Sequence, residues 1–143
     1  MFIQLSILRA VKGTPCTVPL LASDVAAGFP SPADDYIETP LDLNQHLVRH
    51  SEATFFVRVR GQSMIGAGIQ DGDLLIVDRA AVPGHGDIVI AAVGGEMTVK
   101  RLHSRGGVVK LVAENAGYPD IPIDAESGLM VWGVVRHAVH SFP

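Results

Sequence analysis

Ser63 and Lys100 are the residues best suited by type and setting to make and break an amide bond. A free serine hydroxyl is a weak nucleophile and needs a base to take its proton. Lysine can be that base only when neutral. Its ordinary pKa is about 10.4, so at pH 7 only about one lysine in a few thousand is deprotonated. Lowering that pKa by about three units takes roughly 4 kcal/mol of differential interaction, which burial among apolar groups can supply. Lys100 stands in Thr98-Val99-Lys100-Arg101-Leu102, with Ile88, Val89 and Ile90 expected across a hairpin. Strand alternation puts it on one face with Thr98 and Leu102, so Thr98 is placed to orient the amine.

Ser63 stands in Gly61-Gln62-Ser63-Met64-Ile65. A tight turn at Gly61 exposes the hydroxyl and lets nearby N–H groups converge, as an oxyanion site requires. The amides of Gln62 and Ser63 are the candidate donors. Taken singly, each residue has a plainer reading. A Gly-x-Ser sequence is usually only a turn, and a strand lysine usually faces solvent. Spacing alone leaves the pair undecided.

The elements that must position these residues read as β-rich. Asp42 is suited to cap a short helix running through His50, with Leu43 and Leu47 on one face. Ala53 to Arg60 alternates as a strand, and Leu74 to Asp78 is a short apolar one. Asp87 to Val93 and Met97 to His103 flank the turn Gly94-Gly95-Glu96 as a hairpin. Val108 to Glu114 and Leu129 to Val139 supply further strands, the last with a bulge expected at Gly133. The fold class is therefore mostly β with one or two short helices.

Residues 1–40 differ in character. They hold five of the nine prolines, and no basic residue falls between Lys12 and Arg49. Prolines remove backbone donors and fix extended geometry. The division expected is an extended N-terminal arm over 1–40 and a compact domain over 41–143. The length of 143 residues suits one domain with one core.

The net charge of −4 argues against strong direct binding to nucleic acid, since gripping phosphates favours a basic excess. A lone cysteine, Cys16, forbids an internal disulfide and fits a reducing compartment. The apolar stretch from Gly13 to Ser23 is short and broken by Pro15 and Pro19, so neither a membrane span nor a signal peptide is expected. A cytoplasmic location follows. His46 and His50 are four apart on the expected helix, but no third ligand stands at zinc-site spacing, so no metal or cofactor is expected. Asp71 and Asp73 flank Gly72 and read as a turn.

The motifs around the pair are more specific than the pair itself. They are Val59-Arg60-Gly61-Gln62-Ser63-Met64, Gly68 to Asp78, Gly86 to Val93, and Thr98-Val99-Lys100-Arg101-Leu102. With Gly28 to Tyr36, Asp42-Leu43-Asn44-Gln45 and Gly133-Val134-Val135, they resemble the LexA/UmuD family of self-cleaving serine peptidases. The resemblance implies a β-clip or barrel-like peptidase domain of twisted sheets. It also implies that Ser63 is the nucleophile, Lys100 the general base and Ala27-Gly28 the scissile bond. Small residues suit an arm that must lie extended in a narrow cleft with strand-addition pairing. The implied biology is the SOS response. On this resemblance a RecA filament on single-stranded DNA would stimulate cleavage, and the shortened homodimer would join a UmuC-like translesion DNA polymerase subunit. Two other readings remain: a processing peptidase acting on other proteins, and a non-catalytic dimeric regulatory module.

Overall fold

The computed structural model describes residues 5–9, 13, 16–21, 27–28, 38–124 and 129–143. Residues 22–26 and 29–37 of the expected arm lie outside these. Among the described residues an eight-stranded antiparallel sheet dominates. Its strands are β1 (Leu5–Arg9), β4 (Thr54–Val59), β5 (Leu74–Asp78), β6 (Ile88–Val93), β7 (Glu96–Arg105), β8 (Val108–Val112), β9 (Ile121–Ile123) and β10 (Met130–Val139). Their spatial order is β1-β4-β5-β10-β6-β7-β8-β9. β2 (Thr17–Leu21) and β3 (Glu38–Asp42) form a separate two-stranded ladder. The fold is mostly β with short helices, as the alternating strands and glycine punctuation lead one to expect.

Within residues 1–40, β1 runs along β4 from Leu5↔Val59 to Arg9↔Phe55, so this segment is an edge strand of the main sheet. Ala27 and Gly28 lie on the connection between β2 and β3. β10 is the last strand in sequence but lies between β5 and β6 in space. Its register slips between Val131 and Gly133 and again between Val135 and His137. Gly133 stands at the first slip because its neighbours leave no room for a side chain. A Cβ there would come 2.6 Å from Val77 Cγ1.

Helix α1 spans Leu43–Leu47, ending three residues short of His50. Asp42 does cap it, accepting from the Asn44 amide at 3.0 Å. No residue of α1 is buried, so no apolar face pays for a further turn. His50 has other partners. Its Nδ1 lies 2.9 Å from Asp78 Oδ2, and its carbonyl accepts from Thr54 Oγ1 at 2.7 Å. Burial alone would raise the Asp78 pKa, but the hydrogen bonds from His50 and the Ala80 amide outweigh it and hold the carboxyl below its usual range.

Two apolar clusters fill the interior. One gathers Val57, Val59, Met64, Ile69, Leu75, Val77, Ile90 and Val99. The other gathers Val89, Ala91, Leu102, Leu111 and Val134. Ile90 belongs to the first, while Val89 and Ala91 belong to the second, so the clusters lie on opposite faces of β6. Among the described residues no helix is long and apolar enough to cross a membrane.

Candidate active site

Lys100 sits in mid-strand on β7, with Val89 as its cross-strand partner on β6. Cross-strand partners share a face. Lys100 therefore points to the side of Val89, Ala91 and Leu102 and is only 2 % exposed. On its other flank β7 pairs with β8, whose ladder ends at Arg101↔Val112. One step further, beside Lys100, β8 has ended. The loop carrying Ser63 comes in at this end, its backbone bonded to Glu114 just past the strand.

That loop leaves β4 through Gly61, whose φ of +110° is a backbone conformation that suits glycine. The Gly61 amide donates to Asp71 Oδ1 at 2.8 Å. Asp73 Oδ2 accepts from the Gln70 amide at 2.8 Å, and its Oδ1 lies 2.6 Å from His140 Nδ1. The expected Asp71/Asp73 turn thus buttresses the exit from β4. After Ser63 the chain makes a short 3₁₀ turn, Ile65–Ala67, that closes the loop.

The result is a close, buried contact. Lys100 Nζ lies 2.9 Å from Ser63 Oγ, 3.0 Å from Thr98 Oγ1 and 3.1 Å from the Val99 carbonyl oxygen. Ser63 and Thr98 are 1 % and 0 % exposed. Each of these three partners is a neutral oxygen. With no carboxylate among them, burial pushes the Lys100 pKa below its ordinary value of 10.5. As an ammonium Lys100 can donate to all three oxygens; once it loses a proton, the amine has two N–H donors and one lone pair. The Val99 carbonyl can only accept, so it takes one N–H, and Thr98 Oγ1 takes the second. The lone pair is then left for the proton of the Ser63 hydroxyl.

The amides of Gln62 and Ser63 have no acceptor among the described residues, whereas those of Ile65, Gly66, Ala67, Gly68 and Ile69 all donate to backbone carbonyls. Ala27 and Gly28 are both exposed, and a Cβ on Gly28 would meet nothing within 4 Å. They take no part in the hydrogen bonds that join Ser63, Lys100 and Thr98. Among the described residues no group of three or more His, Cys, Asp or Glu could hold a metal ion.

The family described as Peptidase S24-like matches residues 19–136. The chain belongs to this family. It is 48% identical over 123 residues to Protein ImpA of Salmonella typhimurium, covering 85% of this chain and 83% of that protein. It is 41% identical over 128 residues to Protein MucA of Escherichia coli, covering 89% of this chain and 87% of that one. Against the LexA repressor of Ralstonia nicotianae it is 41% identical over 128 residues, covering 85% of this chain and 58% of the repressor. As an S24-like peptidase related to these proteins, it is a self-cleaving serine peptidase of the SOS response.

Two groups of this S24-like peptidase's site escaped the sequence reading. Glu114 and Asn115 hold the Ser63 loop, and Asp71 holds Gly61. Their only sequence signal is position: Glu114-Asn115 follows a strand end, and Asp71 lies in a turn. Neither local pattern reveals its partner, ten residues away for Asp71 and some fifty for Glu114 and Asn115, because those pairings exist only in the folded sheet.

Proposed function

We propose that Ser63 and Lys100 cut the chain's own Ala27-Gly28 bond. The observation that carries this reading is the 2.9 Å contact between Nζ and Oγ in a buried setting without a neutralising carboxylate. Neutral Lys100 takes the hydroxyl proton as Oγ attacks the Ala27 carbonyl carbon. The oxyanion accepts hydrogen bonds from the amides of Gln62 and Ser63. Collapse breaks the C–N bond, and the Lys100 ammonium returns its proton to the Gly28 nitrogen. Water, deprotonated by Lys100, then attacks the Ala27–Ser63 ester, and Lys100 returns that proton to Ser63 Oγ as the C–O bond breaks.

Residues 1–40 act as the arm that bears the cleavage site, and residues 41–143 as the peptidase and dimerisation domain. Cleavage after Ala27 severs β1 and β2 from the strands they pair with, β4 and β3. Release of the fragment leaves two strand edges unpaired, and an unpaired edge is a ready surface for a new partner. The partners in this reading are a second copy of the chain, a RecA filament on single-stranded DNA, and a UmuC-like polymerase subunit. The charge of −4 supports leaving the DNA to those partners.

The test is to incubate the full chain with RecA, single-stranded DNA and nucleotide, then capture the polymerase subunit. Faster cleavage, with capture by the shortened chain, supports the reading. A cleavage rate unmoved by RecA contradicts the SOS trigger.

A further inference from the structure

The Ser63 loop is held from one side by two consecutive residues beyond β8. Asn115 Nδ2 donates to the Gln62 carbonyl at 2.8 Å. The Glu114 amide donates to the Ser63 carbonyl at 2.9 Å, and the Glu114 carbonyl accepts from the Gly66 amide at 2.7 Å. The approach is close enough that a Cβ on Gly66 would come 2.6 Å from the Glu114 oxygen. The Glu114 side chain is itself tied to Arg101, the neighbour of Lys100.

These bonds fix more than the loop's position. The peptide unit joining Gln62 to Ser63 is planar and trans, so its carbonyl and its N–H point in opposite directions. Holding the Gln62 carbonyl toward Asn115 therefore aims the Ser63 N–H away from Asn115. That N–H has no acceptor among the described residues. A carbonyl oxygen can only accept, so the Asn115 side chain must turn its NH₂ to Gln62.

We infer that Asn115 is a positioning residue of the self-cleavage reaction: by gripping the Gln62 carbonyl, its side-chain amide aims the Ser63 N–H at the developing oxyanion. This rests on the proposed self-cleavage. Asn115 touches no reacting atom. Its Nδ2 acts only through the orientation of one peptide unit, and a misaimed donor costs most of what a donor gives.

The test follows alkaline self-cleavage of the full-length chain by mass across a range of pH, for the wild type, Asn115→Ala, Asn115→Leu and Ser63→Ala. Asn115→Leu keeps much of the side chain's bulk without the donor, so it stands in should the alanine variant fold poorly. The expected result is a plateau rate lowered roughly 10- to 100-fold in both Asn115 variants. The pH midpoint set by Lys100 and the melting temperature should stay unchanged. A plateau within about two-fold of wild type overturns the inference. So does a midpoint displaced toward that of an exposed lysine, since Asn115 would then act by shielding Lys100. A wild type that stays as intact as Ser63→Ala overturns the self-cleavage reading and this inference with it. A cleaving wild type with unaffected Asn115 variants overturns the role of Asn115 alone.

Discussion

Thr98 Oγ1 lies 3.0 Å from Lys100 Nζ, two residues earlier on the same face of β7, and both side chains are buried. Strand periodicity alone places these two side by side, and the hydroxyl occupies one of the few directions in which the amine can donate. Thr98→Val keeps the shape and removes that acceptor. The plateau rate of self-cleavage should fall about two- to ten-fold, the worth of one modest hydrogen bond. The pH midpoint should hold or move down, because an ammonium loses more than an amine when an acceptor is removed. A pH–rate profile that matches wild type would show that Thr98 does not orient the base.

Burial of Lys100 also makes stability depend on pH. Its folded pKa lies below the unfolded value near 10.5. Between the two, the unfolded chain holds a proton that the folded chain lacks, so stability rises with pH across that window and levels off near 10.5. Each unit of lowering is worth about 1.4 kcal/mol. Urea unfolding of Ser63→Ala, which cannot cut itself, should therefore show a rise that Ser63→Ala/Lys100→Met lacks. Curves that run parallel from neutral to alkaline pH would mean that Lys100 is not desolvated.

Gly133 lies at a register slip in β10, against both Val77 and Asp78. Gly133→Ala would force a methyl group to 2.6 Å from Val77 Cγ1. Because β10 joins β5 to β6, the strain falls on the centre of the sheet. A loss of about 1–3 kcal/mol is expected in chemical denaturation. Stability within error of wild type would mean that the strands part easily at this point.

The sequence made the local part of this structure legible. Alternation located β4, β5, β6, β7, β8 and β10 to within two residues, and Gly133 marked its bulge. The Asp42 cap was legible too, whereas the early end of α1 was not, because none of its residues is buried in the folded chain and His50 is paired with Asp78 instead. β9 escaped notice because Pro122 sits in its centre and leaves only three residues. Proline is tolerated there because β9 is the last strand of the sheet. The pairing of β1 with β4 was masked by the prolines that follow it from Pro15 onward, which made the whole of residues 1–40 read as an arm. At the site, residue type and surrounding motifs singled out Ser63 and Lys100. The grip of Asn115 on Gln62 spans 53 residues and emerges only from the fold.

The most direct measurement is the mass of the full-length chain before and after alkaline incubation, beside Ser63→Ala and Lys100→Ala. Raising the pH deprotonates Lys100, so the wild type should lose its first 27 residues and begin at Gly28, while both variants stay whole. A wild type that keeps its full mass at high pH, or a Ser63→Ala chain that is still cut after Ala27, would contradict self-cleavage by this pair.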